Sequence, residues 1–311
     1  MKQKIDLSVQ SYKKSESLLY TLMCLHECSG HHIDTLYIND DCSGDDLQAI
    51  YLNDRVKKYF SGWQIRVRVN RNPVRWYRAF VNNYRPSYLS VKKFLNHKFL
   101  DLFRKEKLFH IEEDIRYQWA INSTDKPYLF IIHDDIEFYD DIIGLYLDNI
   151  TDKHAIIGEL GQCWRCDFNK GQSPCNPEKI MKGIYPSKSW PLTISEPSGH
   201  KRACRINEWC CMINIEAAKF ITDRERCFFG NYDDDGDVGA YWFEQVIKHG
   251  YDFSDPLPGT EQRNKYYRHP WQGHSGHSVW QEQDGKKNVY NREFVIKKMI
   301  ERFGIDLTER A

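Results

Sequence analysis

Pro127-Tyr128-Leu129-Phe130-Ile131-Ile132-His133-Asp134-Asp135 is the stretch that decides the fold. It is the most apolar run in the chain, and it breaks off abruptly at a histidine and two carboxylates. A short continuous apolar run reads as a buried strand. Upstream, Lys4 to Val9 reads as another buried strand. Ser15 to His26 follows with apolar residues at Leu18, Leu19, Leu22, Met23 and Leu25, a helical spacing with Ser15 placed to cap it. Asp34 to Ile38 is a second strand, Leu47 to Tyr59 a helix, and Trp63 to Val69 an alternating third strand. This β-α-β-α-β rhythm predicts a parallel sheet with crossover helices. Ligands then sit beyond the carboxyl ends of the strands. The turns Gln10-Ser11-Tyr12 and Asn39-Asp40-Asp41-Cys42-Ser43 lie there, as does the His133-Asp134-Asp135 corner.

Downstream of the third strand the rhythm breaks. Between Arg71 and Lys107 ten Lys/Arg face only Asp101 and Glu106, interleaved with aromatic residues. This predicts an inserted basic helical segment over 71–110, read either as a solvated insertion with a buried aromatic face or as a contact for a membrane surface or lipid-linked substrate. Glu112 to Asn122 predicts a helix. From Ala155 to Cys204 the pattern is irregular and rich in Gly, Pro and Cys. Asn207 to Ile215 is strand-like, Glu216 to Thr222 a short helix, and Val238 to Lys248 a helix stopped at His249-Gly250. Val289 to Phe303 closes the chain as an amphipathic helix.

The chain has 311 residues with 44 basic and 44 acidic side chains, so net charge gives no argument for nucleic acid as a partner. No apolar run approaches the roughly 20 residues that span a bilayer. The start, Met1-Lys2-Gln3-Lys4, lacks a signal-peptide core, which leads to the expectation of a cytoplasmic protein, placed at most at the inner face of the membrane. Ten cysteines in that setting suggest thiols or metal rather than disulfides.

Adjacent carboxylates after a buried strand are rigidly held oxygen ligands, and Mg²⁺ or Mn²⁺ commonly bridges such groups to a diphosphate. The plainer reading of Asp134-Asp135 is a solvated turn. The run Asp233-Asp234-Asp235-Gly236-Asp237 is a second acidic cluster without the distal Glu of a calcium loop. His269, His274 and His277 crowd a Gly- and Ser-containing stretch suited to a lid, with His274 and His277 the candidate metal ligands and His269 behind them. Cys163, Cys166, Cys175 and Cys204, with Cys210 as a substitute for Cys204, are candidates for a structural zinc site against reduced, packed thiols.

Four of these segments, in this order, resemble the nucleotide-sugar glycosyltransferases of the GT-A fold, especially the inverting family 2. They are Ile5 to Tyr12, Ile38 to Ser43 (a "DDxS"-like turn), Phe130 to Asp135 (a DxD-like site) and Tyr232 to Tyr251 (the late acidic motif and its helix). The resemblance implies a Rossmann-type, mostly parallel sheet flanked by helices. A GT-A-like domain would cover 1–270, with a nucleotide half over 1–135 and an acceptor half over 136–270 that includes a Cys-rich segment over 160–211. A lid and terminal helix would follow over 271–311.

It also implies roles. Gln10, Ser11, Tyr12, Asp40 and Asp41 would meet the nucleoside, and Arg116, expected on the helix before the DxD strand, the base or diphosphate. Asp134 would bond ribose or donor sugar. Asp135, with His133 replacing the first DxD carboxylate, would hold Mn²⁺ or Mg²⁺. Asp235 aligns with the catalytic base, with Asp234 and Asp237 beside it. The implied reaction moves a sugar from a UDP- or GDP/dTDP-type donor to a glycan or lipid-linked hydroxyl acceptor. The alternatives are a sugar-nucleotide nucleotidyltransferase and a non-catalytic glycan- or partner-binding module. Gln10 to Lys14 lacks the glycine-rich loop that the former usually carries.

Overall fold

Side-chain alternation along the central strands sorts the interior into two layers. On the strand Tyr128–His133 (β4), Phe130 and Ile132 enter one core with Ile5, Leu7 and Val9 of the strand Ile5–Ser11 (β1), while Leu129 and Ile131 enter a second. Successive residues of a strand face opposite sides, so a strand apolar at every position must be covered on both. The same split recurs in the strand Arg205–Asn214 (β7), where Cys210 and Met212 join the first core and Cys211 and Ile213 the second.

The computed structural model describes residues 3–52, 54–74, 95, 110–161, 204–233, 238–269 and 290–306. The remaining strands are β2 (Ile33–Asp40), β3 (Gln64–Val69), β5 (Glu137–Phe138), β6 (His154–Gly161), β8 (Asp252–Ser254) and β9 (Tyr267–Arg268). Seven strands form one sheet in the order β3-β2-β1-β4-β7-β6-β8, and β5 pairs with β9 apart from it. Strands β1 to β4 are mutually parallel; β7 runs antiparallel to both β4 and β6. The expected α/β, mostly parallel sheet flanked by helices is therefore the observed one.

The helices are α1 (Ser15–Ser29), α2 (Asp45–Leu52), α3 (Asp54–Tyr59), α4 (Gln118–Ser123), α5 (Ile142–Asn149), α6 (Ile215–Glu225), α7 (Ala240–Lys248), α8 (Thr260–Tyr266) and α9 (Arg292–Phe303). α1 is covered on its apolar face by the first core, and α9 adds Val295 and Met299 to the same layer. Asp141 caps α5 by accepting from Gly144 N, and Asn214 caps α6 by accepting from Ala217 N.

Three expectations need correction. The single helix Leu47–Tyr59 is two, α2 and α3. The stretch read as irregular from Ala155 begins with an eight-residue strand, β6, whose Gly158 and Gly161 obscured it. Gly161 has no room for a Cβ because the Asn207 side chain lies against it. The helix expected over Glu112–Asn122 is a short 3-10 turn, Glu112–Asp114, then an extended break, then α4. Tyr117 at that break is left-handed, with φ 65°.

Register fixes what meets at the ligand edge. Gln10 pairs with Asn39 on one side and with His133 on the other, and Asn39 pairs with Arg68. Ser11 pairs with Asp40 one step further out. Because β7 is reversed, and Ile132 pairs with Cys210, the residues entering β7 project past the end of β4. Among the described residues no helix is long and apolar enough to cross a membrane.

Candidate active site

The turn after β1 carries Lys14, which was not among the expected site residues. Lys14 immediately precedes α1, and its buried ammonium lies 2.7 Å from Asp134 Oδ1 and 2.9 Å from Asp135 Oδ2. Two carboxylates this close and this buried could not both ionise without a cation. Burial raises the Asp134 carboxyl against the pull of Lys14. For Asp135 burial pushes the same way, but Lys14 and His269 outweigh it and hold the carboxyl well below the usual range.

Asp135 Oδ1 also lies 2.9 Å from His269 Nε2, and 4.0 Å from His133 Nδ1. Ligand atoms of His133, Asp135 and His269 all fall within 4.8 Å of one another. Burial lowers the pKa of His269, which keeps it the neutral imidazole that a metal ligand must be. Two imidazoles and one carboxylate suit Mn²⁺ or a similar first-row ion better than all-oxygen Mg²⁺, so the donor set fits the implied metal. His133 Nε2 faces Glu208 Oε1 at 3.7 Å, and Glu208 is bound by Arg205 at 3.2 Å. Trp209 packs beside His269, its ring tilted by 38° with centroids 5.0 Å apart, and donates from Nε1 to Glu159.

On the other side of β1 the acidic turn is built by its own carboxylates. Asp40 is fully buried and accepts from Ser43 N at 2.7 Å. Asp41 Oδ1 accepts from Asn70 Nδ2 at 2.8 Å and Val74 N at 2.9 Å, and burial pushes its pKa up to about 7. Ser43 Oγ accepts from Lys13 N at 2.8 Å, which locks the two turns together. Lys13 and Cys42, one in each turn, are left-handed with φ of 54° and 64°. Such backbone conformations cost of order 1–3 kcal/mol each and collect at functional sites. Two polar atoms at the end of β1, Gln10 Nε2 and Ser11 Oγ, are buried without a hydrogen-bond partner, although Gln10 Oε1 accepts from Asn39. Buried polar atoms without a partner in the fold call for one from outside it, a water or a bound group. Tyr12 is buried beside them, and Lys13 lies over its ring.

Arg116 is not on a helix, as had been expected, but in the extended break before α4. There it forms an isolated antiparallel bridge with Gly230 and donates to Tyr232 Oη at 3.4 Å. A Cβ at Gly230 would collide with the Arg116 carbonyl, so the close approach depends on that glycine. The Arg116 charge acts against burial in lowering the Asp41 pKa, while the guanidinium itself lies over the Tyr232 ring. Asp233, at the head of the late acidic run, is used structurally, accepting from Phe228 N at 2.9 Å and Asn231 Nδ2 at 2.7 Å.

Asp134, Asp135, His133, Gln10, Ser11, Tyr12, Asp40 and Asp41 thus lie along one edge, with Asp40 and Asp134 separated by β1, roughly 10 Å at the usual strand spacing. Asp234, Asp235, Asp237, His274 and His277 lie outside the described residues, as do Cys163, Cys166, Cys175 and nearly all of the basic segment 71–107. Of the remaining thiols, Cys204 is buried, and Cys210 is a core residue of β7 whose pKa burial raises, a poor candidate for a thiolate ligand.

No protein-family model matches the chain, and no curated protein sequence does. Similar solved structures are glycosyltransferases. TarS of S. aureus (residues 1–349) is 10% identical, with 85% of this chain and 60% of that one covered and a TM-score of 0.42. A mannosyltransferase from Pyrobaculum calidifontis, solved with GDP-Man and Mn²⁺, is 8% identical with the same coverages and a TM-score of 0.43. The galactosyltransferase LgtC, solved with donor and acceptor sugar analogs, is 11% identical, with 81% and 73% covered and a TM-score of 0.36. The chain spans less than two thirds of the first two. These likenesses are distant, and what the site can do is read from its own residues.

Proposed function

We propose that the chain is a metal-dependent, inverting glycosyltransferase that moves a sugar from a nucleoside diphosphate donor to a hydroxyl of a glycan or lipid-linked acceptor. The observation that supports this most is the gathering, on one sheet edge, of Lys14, Asp134, Asp135, His133 and His269 beside the orphan Gln10 and Ser11 atoms. Gln10, Ser11, Tyr12 and Asp41 would receive the nucleoside, and Arg116 would face the diphosphate. Asp134 would orient a donor-sugar hydroxyl. A Mn²⁺ held by Asp135, His269 and His133 would offset charge on the departing diphosphate. A carboxylate of the 234–237 run, Asp235 first, would take the acceptor proton. The acceptor oxygen bonds to the anomeric carbon as the bond to the diphosphate breaks, and its electron pair leaves with the nucleoside diphosphate.

The test is a panel of nucleotide sugars with Mn²⁺, read as thermal shift and nucleoside diphosphate release. Asp135→Ala is expected to abolish the Mn²⁺-dependent shift, and Asp235→Asn to keep it while losing turnover. No shift with any donor would refute the reading. Pyrophosphate release would identify a nucleotidyltransferase, and binding without release across acceptors a non-catalytic module.

A further inference from the structure

α1 runs from the site to the opposite edge of the sheet, a rise of roughly 22 Å at 1.5 Å per residue. The segment 134–141 descends beside it: Ile136 N donates to Thr21 Oγ1 at 2.9 Å, and Asp141 Oδ1 accepts from Ser29 Oγ at 2.6 Å. At the far end, the turn Gly30–His32 leads into β2 and brings two histidines to Asp141. We propose that His31, His32 and Asp141 form a second divalent-metal site, for a borderline first-row ion such as Zn²⁺, that clamps the α1–β2 turn to the start of α5.

Asp141 Oδ2 lies 2.9 Å from His32 Nε2 and 3.7 Å from His31 Nε2. An ion bound tetrahedrally at about 2.0–2.1 Å places its ligand atoms about 3.3 Å apart, between those two values. All three ligand atoms fall within 4.8 Å. The carboxylate is held in place: its other oxygen takes both Ser29 Oγ and Gly144 N, leaving Oδ2 toward the imidazoles. Against the desolvation that would raise it, these bonds and His32 lower the pKa of Asp141, which keeps it ionised.

The cradle also requires a glycine. A Cβ on Gly144 would collide with Asp141 Oδ2 and lie 3.2 Å from His32 Nε2. His32 Nδ1 makes no hydrogen bond, so the Nε2 proton that bridges to Asp141 can pass to Nδ1 or to solvent when an ion takes its place. The His32 side chain is 2% exposed, while those of His31 and Asp141 are 55% and 30% exposed, which gives an ion a way in and leaves open positions for water.

Calorimetric titration of the whole chain with Zn²⁺ tests this by difference, whatever other histidines and cysteines bind. His31→Ala removes an exposed ligand without touching the core. Asp141→Asn keeps the helix cap while removing the charge. Each is expected to lose one equivalent, or to weaken one class of site at least about tenfold. The Zn²⁺-induced rise in melting temperature should shrink with His31→Ala, and the double variant His133→Ala/His269→Ala, compared with its own zinc-free form, should keep all of it but the donor-site share. The double variant His133→Ala/His269→Ala should keep the equivalent, which separates this site from the proposed donor site. Unchanged stoichiometry and affinity in His31→Ala, or loss of all zinc binding in the double variant, would overturn the proposal.

Discussion

Lys14 neutralises the pair Asp134–Asp135 from within the fold, at 2.7 and 2.9 Å. Removing one partner from a buried ionic cluster leaves uncompensated charge, which typically costs about 3–5 kcal/mol. Lys14→Met should destabilise by that amount in urea titration at pH 7, and less at pH 5, where a carboxyl of the pair can take up a proton. Asp41 has the opposite sign from an ordinary surface carboxylate. Its folded pKa is raised to about 7 from 3.8 by burial, so the folded state holds a proton that the unfolded chain releases. The stability it contributes is fully present below the unfolded value and is lost as pH rises toward 7. Asp41→Asn, which stays neutral, should flatten the decline in unfolding free energy between about pH 4 and 7. A decline equally steep in the variant would refute the assignment. The position of Asp40, Asp41 and Asp135 at the strand ends was legible from their turns, but the approach of Lys14 and Glu208 to that edge was not. Lys14 is one cation in a Lys-Lys pair, and only its 121-residue reach to Asp135 distinguishes it.

At the scale of elements, periodicity identified β1, α1, β2, β3, β4, β7 and the helices beside them because each has one dominant apolar pattern. It failed where the backbone, not the side-chain pattern, decides. The stretch Glu112–Asn122 has helix-forming composition, but the left-handed Tyr117 breaks it, and the bridge between Arg116 and Gly230 holds it extended. That bridge is testable. Gly230→Ala must push the two segments apart, for a cost of about 1–3 kcal/mol. Arg116 should move with it, so nucleotide affinity should fall by more than Tyr232→Phe alone lowers it. An unchanged affinity would separate Arg116 from the ligand.

For the molecule as a whole, sequence order concealed the site's convergence: His269 and Asp135 are 134 residues apart, and Arg292 reaches Glu16 across 276. The terminal helix α9 is part of the core that holds β1 and β4, through Val295 and the fully buried Met299. Met299→Ala should therefore cost about 2–5 kcal/mol in chemical denaturation while leaving donor affinity at 25 °C unchanged. A loss of affinity ahead of unfolding would mean that the helix shapes the pocket directly.

The lysine at the head of α1 has one last implication. A pocket that carries its own counter-ion is not held together by bound metal, so the carboxylate pair should keep its arrangement when chelator strips the solution, and dialysis against chelator should leave the melting curve of the fold intact.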